Sequence, residues 1–266
     1  MDFLKKYNQF EEDGAVLLED TISKETISAV KNEYDYLDKN LSRKEIVKGE
    51  PLIVFWKHVL GEKKRVALFS EFPSLWKLIN EDIVENLKKF FKDDSIKLQL
   101  LETIIFNKPY KKSNILQWHQ DVAYFPLDPN DQVAVWIPFE PVDKMSGALN
   151  YALGSHKHGL KGSTDLHTRK EYDDNERELI PEDPEKSGFK VRCMEMNPTD
   201  MVVHDGYTWH YSGPNLKENT ERRGLSVRFI KGEAKYSPRP GTAAAFIQQI
   251  DVKKGDKIQG GAFPYL

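Results

Sequence analysis

The segment Leu116-Gln117-Trp118-His119-Gln120-Asp121-Val122 sets a histidine two positions before an aspartate, in a stretch that has the pattern of an extended strand. Side chains two apart on a strand point to the same face, so the His119 imidazole and the Asp121 carboxylate can converge on one point. Two such side chains do not complete a metal site, and an isolated His-x-Asp pair arises by chance in many proteins. The surrounding sequence therefore decides what the pair indicates.

A third metal ligand is available in the stretch Tyr207-Thr208-Trp209-His210-Tyr211. Two histidines and one carboxylate on one side of a metal form the facial triad of non-haem Fe(II) oxygenases, which leaves positions open for cosubstrate and dioxygen. His204 is the main rival for the third position. We favour His210 because Gly213 and Asn215 follow it, and this turn lets the chain reverse just beyond the metal.

The composition is that of an ordinary globular protein, with 266 residues, 39% hydrophobic and 30% charged. It predicts one domain over residues 1–266, since all-β folds often exceed about 200 residues undivided. A net charge of −3 argues against a nucleic-acid partner. The N-terminal residues lack the apolar core of a signal peptide, and no stretch approaches the roughly 18 apolar residues of a membrane span. We expect a cytoplasmic protein without membrane or nucleic-acid partners, and its oligomeric state stays open.

The hydrophobic pattern of the sequence changes near residue 96. The part from about 20 to 95 carries helical patterns, with Ser23 as the cap of one helix and Pro73 opening a second. The core from about 96 to 231 consists of short β-like runs between turns. The predicted strands are 98–106, 117–123, 133–139, 148–152, 189–194, 201–204, 210–212 and 225–230. This order predicts a mainly β fold, a double-stranded β-helix (jelly roll, cupin-like) with the N-terminal helices packed on one sheet.

Two further segments depart from this pattern. Residues 161–187 are dense in charge and lack apolar periodicity, which is typical of a functional lid or of a disordered insertion. Residues 232–266 form a C-terminal extension of mixed, irregular composition.

An arginine pair indicates what accompanies the metal. In an extended chain Arg222 shares the polar face with Arg228, whereas Arg223 lies on the opposite, largely apolar face. A guanidinium directed into a lined cavity can hold a carboxylate with two parallel hydrogen bonds. A dicarboxylic cosubstrate needs such a group at its far end while its keto-acid end chelates iron. The alternative is an ordinary surface arginine.

Taken together, these stretches resemble the phytanoyl-CoA dioxygenase family of Fe(II)- and 2-oxoglutarate-dependent oxygenases. The resemblance touches most of the chain from residue 10 to residue 230. The matching stretches, in order, are 13–17, 106–109, 119–121, 124–126, Trp136, 146–149, 154–157, 210–215 and 222–226. Each is weak alone, but the ordered set is specific.

The resemblance implies roles for individual residues. The metal ligands would be His119, Asp121 and His210. Arg222 would bind the distal carboxylate of 2-oxoglutarate, and Ser212 that carboxylate or its neighbourhood. The positions that match the lining of the cosubstrate pocket are Gln120, Trp136 and Ile104. The family often adds a cosubstrate-binding residue from the region before the barrel, which this sequence does not identify.

The activity that the resemblance implies is oxidation of a small-molecule substrate at an Fe(II) centre, which consumes 2-oxoglutarate and O2 and releases succinate and CO2. Because Asp121 occupies the carboxylate position, hydroxylation, desaturation or ring closure is favoured over halogenation. Two other classes stay open. One is a zinc cupin-like hydrolase or isomerase, in which Arg222 would have no carboxylate partner. The other is a non-catalytic binding module on the same scaffold. The sequence does not identify the substrate.

Overall fold

The computed structural model describes residues 1–41, 49–57, 62–111, 115–172, 176–242 and 251–266. The helices are α1 (Phe3–Asp13), α2 (Lys24–Asn40), α3 (Leu68–Glu71), α4 (Pro73–Lys77) and α5 (Val84–Phe91), with a π-helical turn at Leu78–Ile83 and short 3-10 turns at Asp121–Tyr124 and Ser155–His158. The strands are β1 (Ala15–Leu18), β2 (Leu52–Lys57), β3 (Glu62–Ala67), β4 (Leu98–Pro109), β5 (Leu116–His119), β6 (Leu127–Asp128), β7 (Gln132–Pro138), β8 (Leu149–Ala152), β9 (Val191–Cys193), β10 (Met201–Asp205), β11 (His210–Ser212), β12 (Glu221–Lys231) and β13 (Lys235–Tyr236).

The strands form two main sheets. A seven-stranded sheet runs β1-β10-β7-β12-β4-β2-β3, and a four-stranded sheet runs β5-β11-β8-β9. Neighbouring strands are antiparallel except β2 and β4, which are parallel. A small pair, β13 with β6, completes the described sheets. The predicted mainly β jelly roll is confirmed.

The helices pack on one face of the seven-stranded sheet. The Ser23 side chain accepts a hydrogen bond from the Thr26 amide and caps α2, as its sequence predicts. The stripe that α2 buries meets the alternate apolar side chains of β7 and β12, namely Val135, Ile137, Leu225, Val227 and Phe229. Each fully buried side chain of this kind contributes roughly 1.5–3 kcal/mol. The predicted packing of the helices on one sheet is therefore confirmed.

The opposite face of the same sheet forms the interior of the jelly roll. Strand alternation turns Trp136 of β7 away from the helices, and it packs there with Leu149 and Tyr151 of β8 in the small sheet. Arg222, on the same face of β12, is also buried. The space between the sheets is where the candidate site lies.

Some elements differ from the sequence prediction. The predicted strand 117–123 ends at His119, because Asp121–Tyr124 turns into a 3-10 helix in which the Val122 amide donates to the Gly206 carbonyl. The predicted strand 189–194 is shorter, spanning Val191–Cys193. Helix α1 and the hairpin of β2 and β3 have no counterpart in the prediction. Helix α1 packs Phe3, Tyr7 and Phe10 against the helical core, and of these three only Phe10 is fully buried.

The charged segment 161–187 is described except for residues 173–175, which lie outside the described residues. It contains turns and one isolated bridge between Thr164 and Glu171. In the C-terminal extension, Ile258 and Phe263 pack against Leu101. None of the described helices combines the length and the apolar character that crossing a membrane requires.

Candidate metal centre

The three predicted ligands meet at the facing edges of two paired strands. His119 ends β5 and lies opposite His210, which begins β11, and their ring centroids are 4.1 Å apart. Asp121 opens the 3-10 turn that follows β5, so its side chain returns to the face of His119. One ligand atom from each of the three residues lies within 4.8 Å of the others, and all three residues are buried. This set can hold a single metal ion.

Both histidines are oriented by backbone carbonyls. The His119 Nδ1 atom lies 2.6 Å from the Gln117 carbonyl oxygen, and the His210 Nδ1 atom lies 3.0 Å from that of Thr208. A carbonyl can only accept, so each Nδ1 carries the hydrogen and each Nε2 keeps its lone pair for a metal. Burial lowers the pKa of His119 and holds that of His210 well below its usual value. Both imidazoles are thus neutral, the form that binds metal.

Asp121 is held as a carboxylate. Burial alone would raise its pKa, but the Arg228 guanidinium, with help from His204 and His210, outweighs burial and holds the pKa well below its usual range. Arg228 donates to Asp121 Oδ1 at 2.8 Å and, through its other terminal nitrogen, to Glu102 at 2.9 Å. The metal site therefore contains a fixed negative charge that can bind a metal cation.

His204, the rival third ligand, has a different environment. Its Nδ1 lies 3.1 Å from the Tyr151 hydroxyl and its Nε2 lies 3.3 Å from Asp121 Oδ2. Both ring nitrogens therefore have partners already, and the group of possible ligands among the described residues contains His210 and not His204. His204 therefore helps to position the Asp121 carboxylate through its contact with Oδ2.

The predicted cosubstrate residues Arg222, Ser212 and Trp136 come together further along the interior. Arg222 is 2% exposed and donates to the Gly147 carbonyl at 2.7 Å and to Ser212 Oγ at 3.1 Å. Its guanidinium carbon lies 4.7 Å from the centroid of the Trp136 ring. Burial lowers the pKa of Arg222 to about 10. Within the described part of the chain its Nε has no hydrogen-bond partner, and no ion pair includes this arginine.

The strand register agrees with the prediction for the arginine pair. Arg223 points to the opposite face of β12, where it forms ion pairs with Glu140 and Asp35. Arg222 and Arg228 both point inward, one toward Ser212 and the other toward Asp121.

The two remaining predicted residues have different positions. Ile104 lines the cavity beside the metal ligands. Gln120 does not join the site, because its side chain bonds the Gly159 and Tyr207 carbonyls and the Lys161 amide. The physical reason is alternation: His119 and Asp121 point inward, so the residue between them points outward.

A cavity of about 300 Å³ opens next to His119 and Asp121. Its walls are largely apolar, and its polar groups include Glu102 and Arg228. The apolar lining consists of Leu52, Val54, Trp56, Leu101, Ile104, Phe106, Leu116, Phe125 and Leu166. Leu166 and Tyr172 come from the charged segment 161–187, so this segment forms part of the wall.

Three further charged residues of this interior have no role among the sequence predictions: Lys108, Glu102 and Arg228. The signal was present for each of them in strand alternation. Arg228 shares the inward face of β12 with Arg222, and Lys108 shares that of β4 with Ile104 and Glu102. Polar side chains on the inward face of two otherwise apolar strands are the feature that could have identified them.

A jelly roll whose interior holds two histidines and an aspartate defines a class, the non-haem metal proteins of cupin-like fold. Residues 10–224 match the sequence model of the phytanoyl-CoA dioxygenase (PhyH) family. The chain therefore belongs to that family. Iron, 2-oxoglutarate and O2 are the cofactors typical of the family, as the sequence analysis predicts.

Curated relatives and solved structures agree with this assignment. The chain is 25% identical to the peroxisomal phytanoyl-CoA dioxygenase of Bos taurus, over 92% of this chain and 74% of that protein. For the Homo sapiens protein the identity is 23%, over 97% of this chain and 77% of that protein.

Two similar structures come from nogalamycin biosynthesis. The α-ketoglutarate-dependent carbocyclase SnoK has a TM-score of 0.72 at 19% identity, covering 98% of this chain and 95% of its own. The epimerase SnoN, solved with Fe³⁺, α-ketoglutarate and nogalamycin RO, has a TM-score of 0.72 at 16% identity, covering 99% and 98%. These similarities establish the shared fold.

Proposed function

We propose that this protein is an Fe(II)- and 2-oxoglutarate-dependent dioxygenase that hydroxylates, or otherwise oxidises, a small molecule with release of succinate and CO2. One observation carries the proposal. The same interior contains two neutral histidines with a carboxylate and, further along, a buried arginine that has no acidic partner among the described residues.

The residues present fit both groups. His119, Asp121 and His210 offer nitrogen and oxygen ligands on one side of a metal, which suits Fe(II) with open positions. The unpartnered Nε of Arg222 fits a bound carboxylate, because a buried donor without an acceptor is unfavourable until a ligand supplies one. When bound together, iron, 2-oxoglutarate and O2 supply the oxidising chemistry.

The chain's own contribution is binding, orientation and exclusion of water. Arg222, in cation–π contact with Trp136, would hold the distal carboxylate and fix the direction of the cosubstrate. Backbone carbonyls hold the Nδ1 hydrogens of both histidines and so direct each Nε2 to the metal. Phe125, among the apolar wall residues, keeps water from the metal side of the cavity.

The cavity favours a small substrate with considerable apolar surface. Its volume is about 300 Å³, and its wall contains the rings of Trp56 and Phe106, whose centroids are 5.6 Å apart. The epimerase SnoN, by comparison, is solved with the small molecule nogalamycin RO. Location in the cytoplasm stays a prediction.

We also propose that the segment 161–187 covers the bound substrate. Leu166 and Tyr172 already line the cavity, and the Tyr124 hydroxyl donates to the Thr164 carbonyl at 2.7 Å, which attaches the segment to the metal side. Trypsin cleavage at Arg169 should therefore slow when a substrate that is turned over is present. Equal cleavage rates with and without such a substrate would show that the segment is a surface loop and does not cover the substrate.

A zinc cupin-like hydrolase or isomerase is the main alternative, because the same three ligands accept zinc. That reading leaves Arg222 buried without a carboxylate. A non-catalytic binding module is the other alternative, and it leaves the triad without use.

A thermal-shift experiment separates the three readings. The melting temperature is measured with Mn(II) as a redox-stable substitute for iron, with 2-oxoglutarate, with both, and with Zn(II). We expect the largest rise with Mn(II) and 2-oxoglutarate together, exceeding the sum of the separate rises, because the keto acid binds through the metal. Aerobic Fe(II) protein should then form succinate from 2-oxoglutarate. A rise with Zn(II) alone and no effect of 2-oxoglutarate would contradict the proposal.

A further inference from the structure

Lys108 is a completely buried lysine in the wall of the candidate cosubstrate site. It lies on β4 directly opposite Arg222 on β12. Its ammonium group donates to Ser212 Oγ at 2.8 Å, to the Ser212 carbonyl at 3.1 Å and to the Gly213 carbonyl at 2.8 Å. An ammonium group has three hydrogens, so these bonds use all of them.

The Ser212 hydroxyl joins the two cations. It accepts from Lys108 and from Arg222, and it donates its own hydrogen to the Gly147 carbonyl at 3.0 Å. The hydroxyl therefore has no hydrogen left for a ligand. Of the described hydrogen-bonding groups at this point, the Nε of Arg222 is the donor that keeps a buried, unused hydrogen.

The charges at this end are not balanced. Buried cations are normally paired with a carboxylate, as Arg228 is with Asp121 and Glu102. Among the ion pairs of the described residues none includes Lys108 or Arg222. Burial, together with the neighbouring Arg222, holds the pKa of Lys108 well below its usual value. The interior thus has a metal end where Arg228 is paired with two carboxylates, and a second end where, among the described residues, two basic side chains have no acidic partner.

We propose that Lys108 is a positioning residue that makes this end of the site select a dicarboxylic over a monocarboxylic keto acid. It holds the Ser212 hydroxyl against one terminal nitrogen of Arg222 and so fixes the guanidinium, whose Nε–H is left for a ligand. A carboxylate bound at this end favours the charged form of Lys108, and the ammonium group then attracts the distal carboxylate without contacting it. The inference rests on the proposed function, because it assumes that a 2-oxo acid binds at the metal.

A purely structural role for Lys108 predicts a different result. Such a residue would only hold the turn at Ser212 and Gly213 through its carbonyl contacts, and its loss would weaken every keto acid equally. The ratio of the affinities for 2-oxoglutarate and 2-oxovalerate therefore distinguishes the two roles of Lys108. 2-Oxovalerate has the same number of carbons but a methyl group in place of the distal carboxylate.

The test uses the Mn(II)-loaded full chain and calorimetric titration with each keto acid. Lys108→Gln removes the charge but keeps an amide that can donate to the same carbonyls. We expect its preference for 2-oxoglutarate over 2-oxovalerate to fall by roughly tenfold, as suits the loss of one charge several ångströms from a carboxylate. The affinity for 2-oxovalerate and for Mn(II) should stay within about twofold of wild type. Lys97→Met, an exposed lysine just before β4, is the control and should change neither affinity.

Each outcome decides between the alternatives. An unchanged preference in Lys108→Gln, or equal weakening of both keto acids, would overturn the inference. Wild-type protein that does not prefer 2-oxoglutarate at all would instead contradict the proposed function. If Lys108→Gln does not fold, Lys108→Met is measured in the same way. Failure of both to fold would overturn the inference too, since a positioning residue is not needed for the fold.

Discussion

Replacing Arg222 by lysine tests whether this buried arginine binds the cosubstrate. The guanidinium presents its donors in a planar fork. Arg222 is only 2% exposed, and its Nε has no hydrogen-bond partner in the part of the chain that the structure describes. A lysine keeps the positive charge but offers one direction of donation instead of the two-pronged geometry. It also loses the cation–π contact of the guanidinium with Trp136, in which the guanidinium carbon lies 4.7 Å from the ring centroid.

The expected size of the effect follows from one lost hydrogen bond. A hydrogen bond to a charged group contributes about 1.5–3 kcal/mol, which corresponds to about 10- to 150-fold in binding. The dissociation constant of 2-oxoglutarate, measured by titration of the Mn(II) protein, should rise by that factor in Arg222→Lys. The affinity for Mn(II) itself should not change, because none of the three candidate metal ligands bonds Arg222.

Arg223→Lys is the matched control. Its side chain is adjacent in sequence but lies on the opposite face of β12, paired with Glu140 and Asp35. This variant should bind 2-oxoglutarate like wild type, although its stability can fall slightly. Equal affinity in Arg222→Lys and wild type would refute the assignment of Arg222 to the cosubstrate carboxylate.

Three further predictions concern the metal end and the shape of the interior. His210→Ala should abolish Mn(II) binding in calorimetry, whereas His204→Ala should retain it with reduced affinity; the reverse pattern would exchange their roles. Arg228→Met should lower the free energy of unfolding of the metal-free protein by about 3–5 kcal/mol, because it leaves buried carboxylates unpaired. The loss in a urea titration should shrink when Mn(II) is added, and an identical loss under both conditions would contradict this. In Gly224→Ala the added Cβ would lie 2.2 Å from the Trp136 ring. The free energy of unfolding should therefore fall by about 1–3 kcal/mol through overpacking, and 2-oxoglutarate should bind more weakly. Wild-type affinity for 2-oxoglutarate would show that the ring can move without affecting the site.

The parts of the site that the sequence predicts are those fixed by local rules. Strand alternation places Arg222 inward and Arg223 outward without any knowledge of the partner strands. The triad follows from ligand type and spacing. The choice of His210 over His204 agrees with their hydrogen bonds, because the Nδ1 of His210 contacts a backbone carbonyl and leaves Nε2 for a metal, whereas the Nδ1 of His204 contacts the Tyr151 hydroxyl. The cap at Ser23 is local too, which explains why α2 begins where its sequence predicts.

The parts that the sequence does not predict depend on distant contacts. The strand that begins at Leu116 ends at His119 because the Val122 amide finds the Gly206 carbonyl, more than eighty residues away in the chain (206 − 122 = 84). Gln120, which is still extended, lies between the inward-pointing His119 and Asp121 and bonds the Gly159 and Tyr207 carbonyls instead. Strand alternation places Lys108 inward but does not show what it contacts, since the carbonyls that surround its ammonium group come from β11 and the residue after it.

The central claim is that the triad and Arg222 bind iron and 2-oxoglutarate together. The most direct measurement is an anaerobic titration of the Fe(II) protein with 2-oxoglutarate, followed by visible absorption, since a keto acid that chelates Fe(II) produces a charge-transfer band. We predict a saturable band that requires both components, is absent in His210→Ala, and appears in Arg222→Lys only at higher 2-oxoglutarate concentration. Fe(II) bound by the triad with no band at any concentration of 2-oxoglutarate would contradict the account.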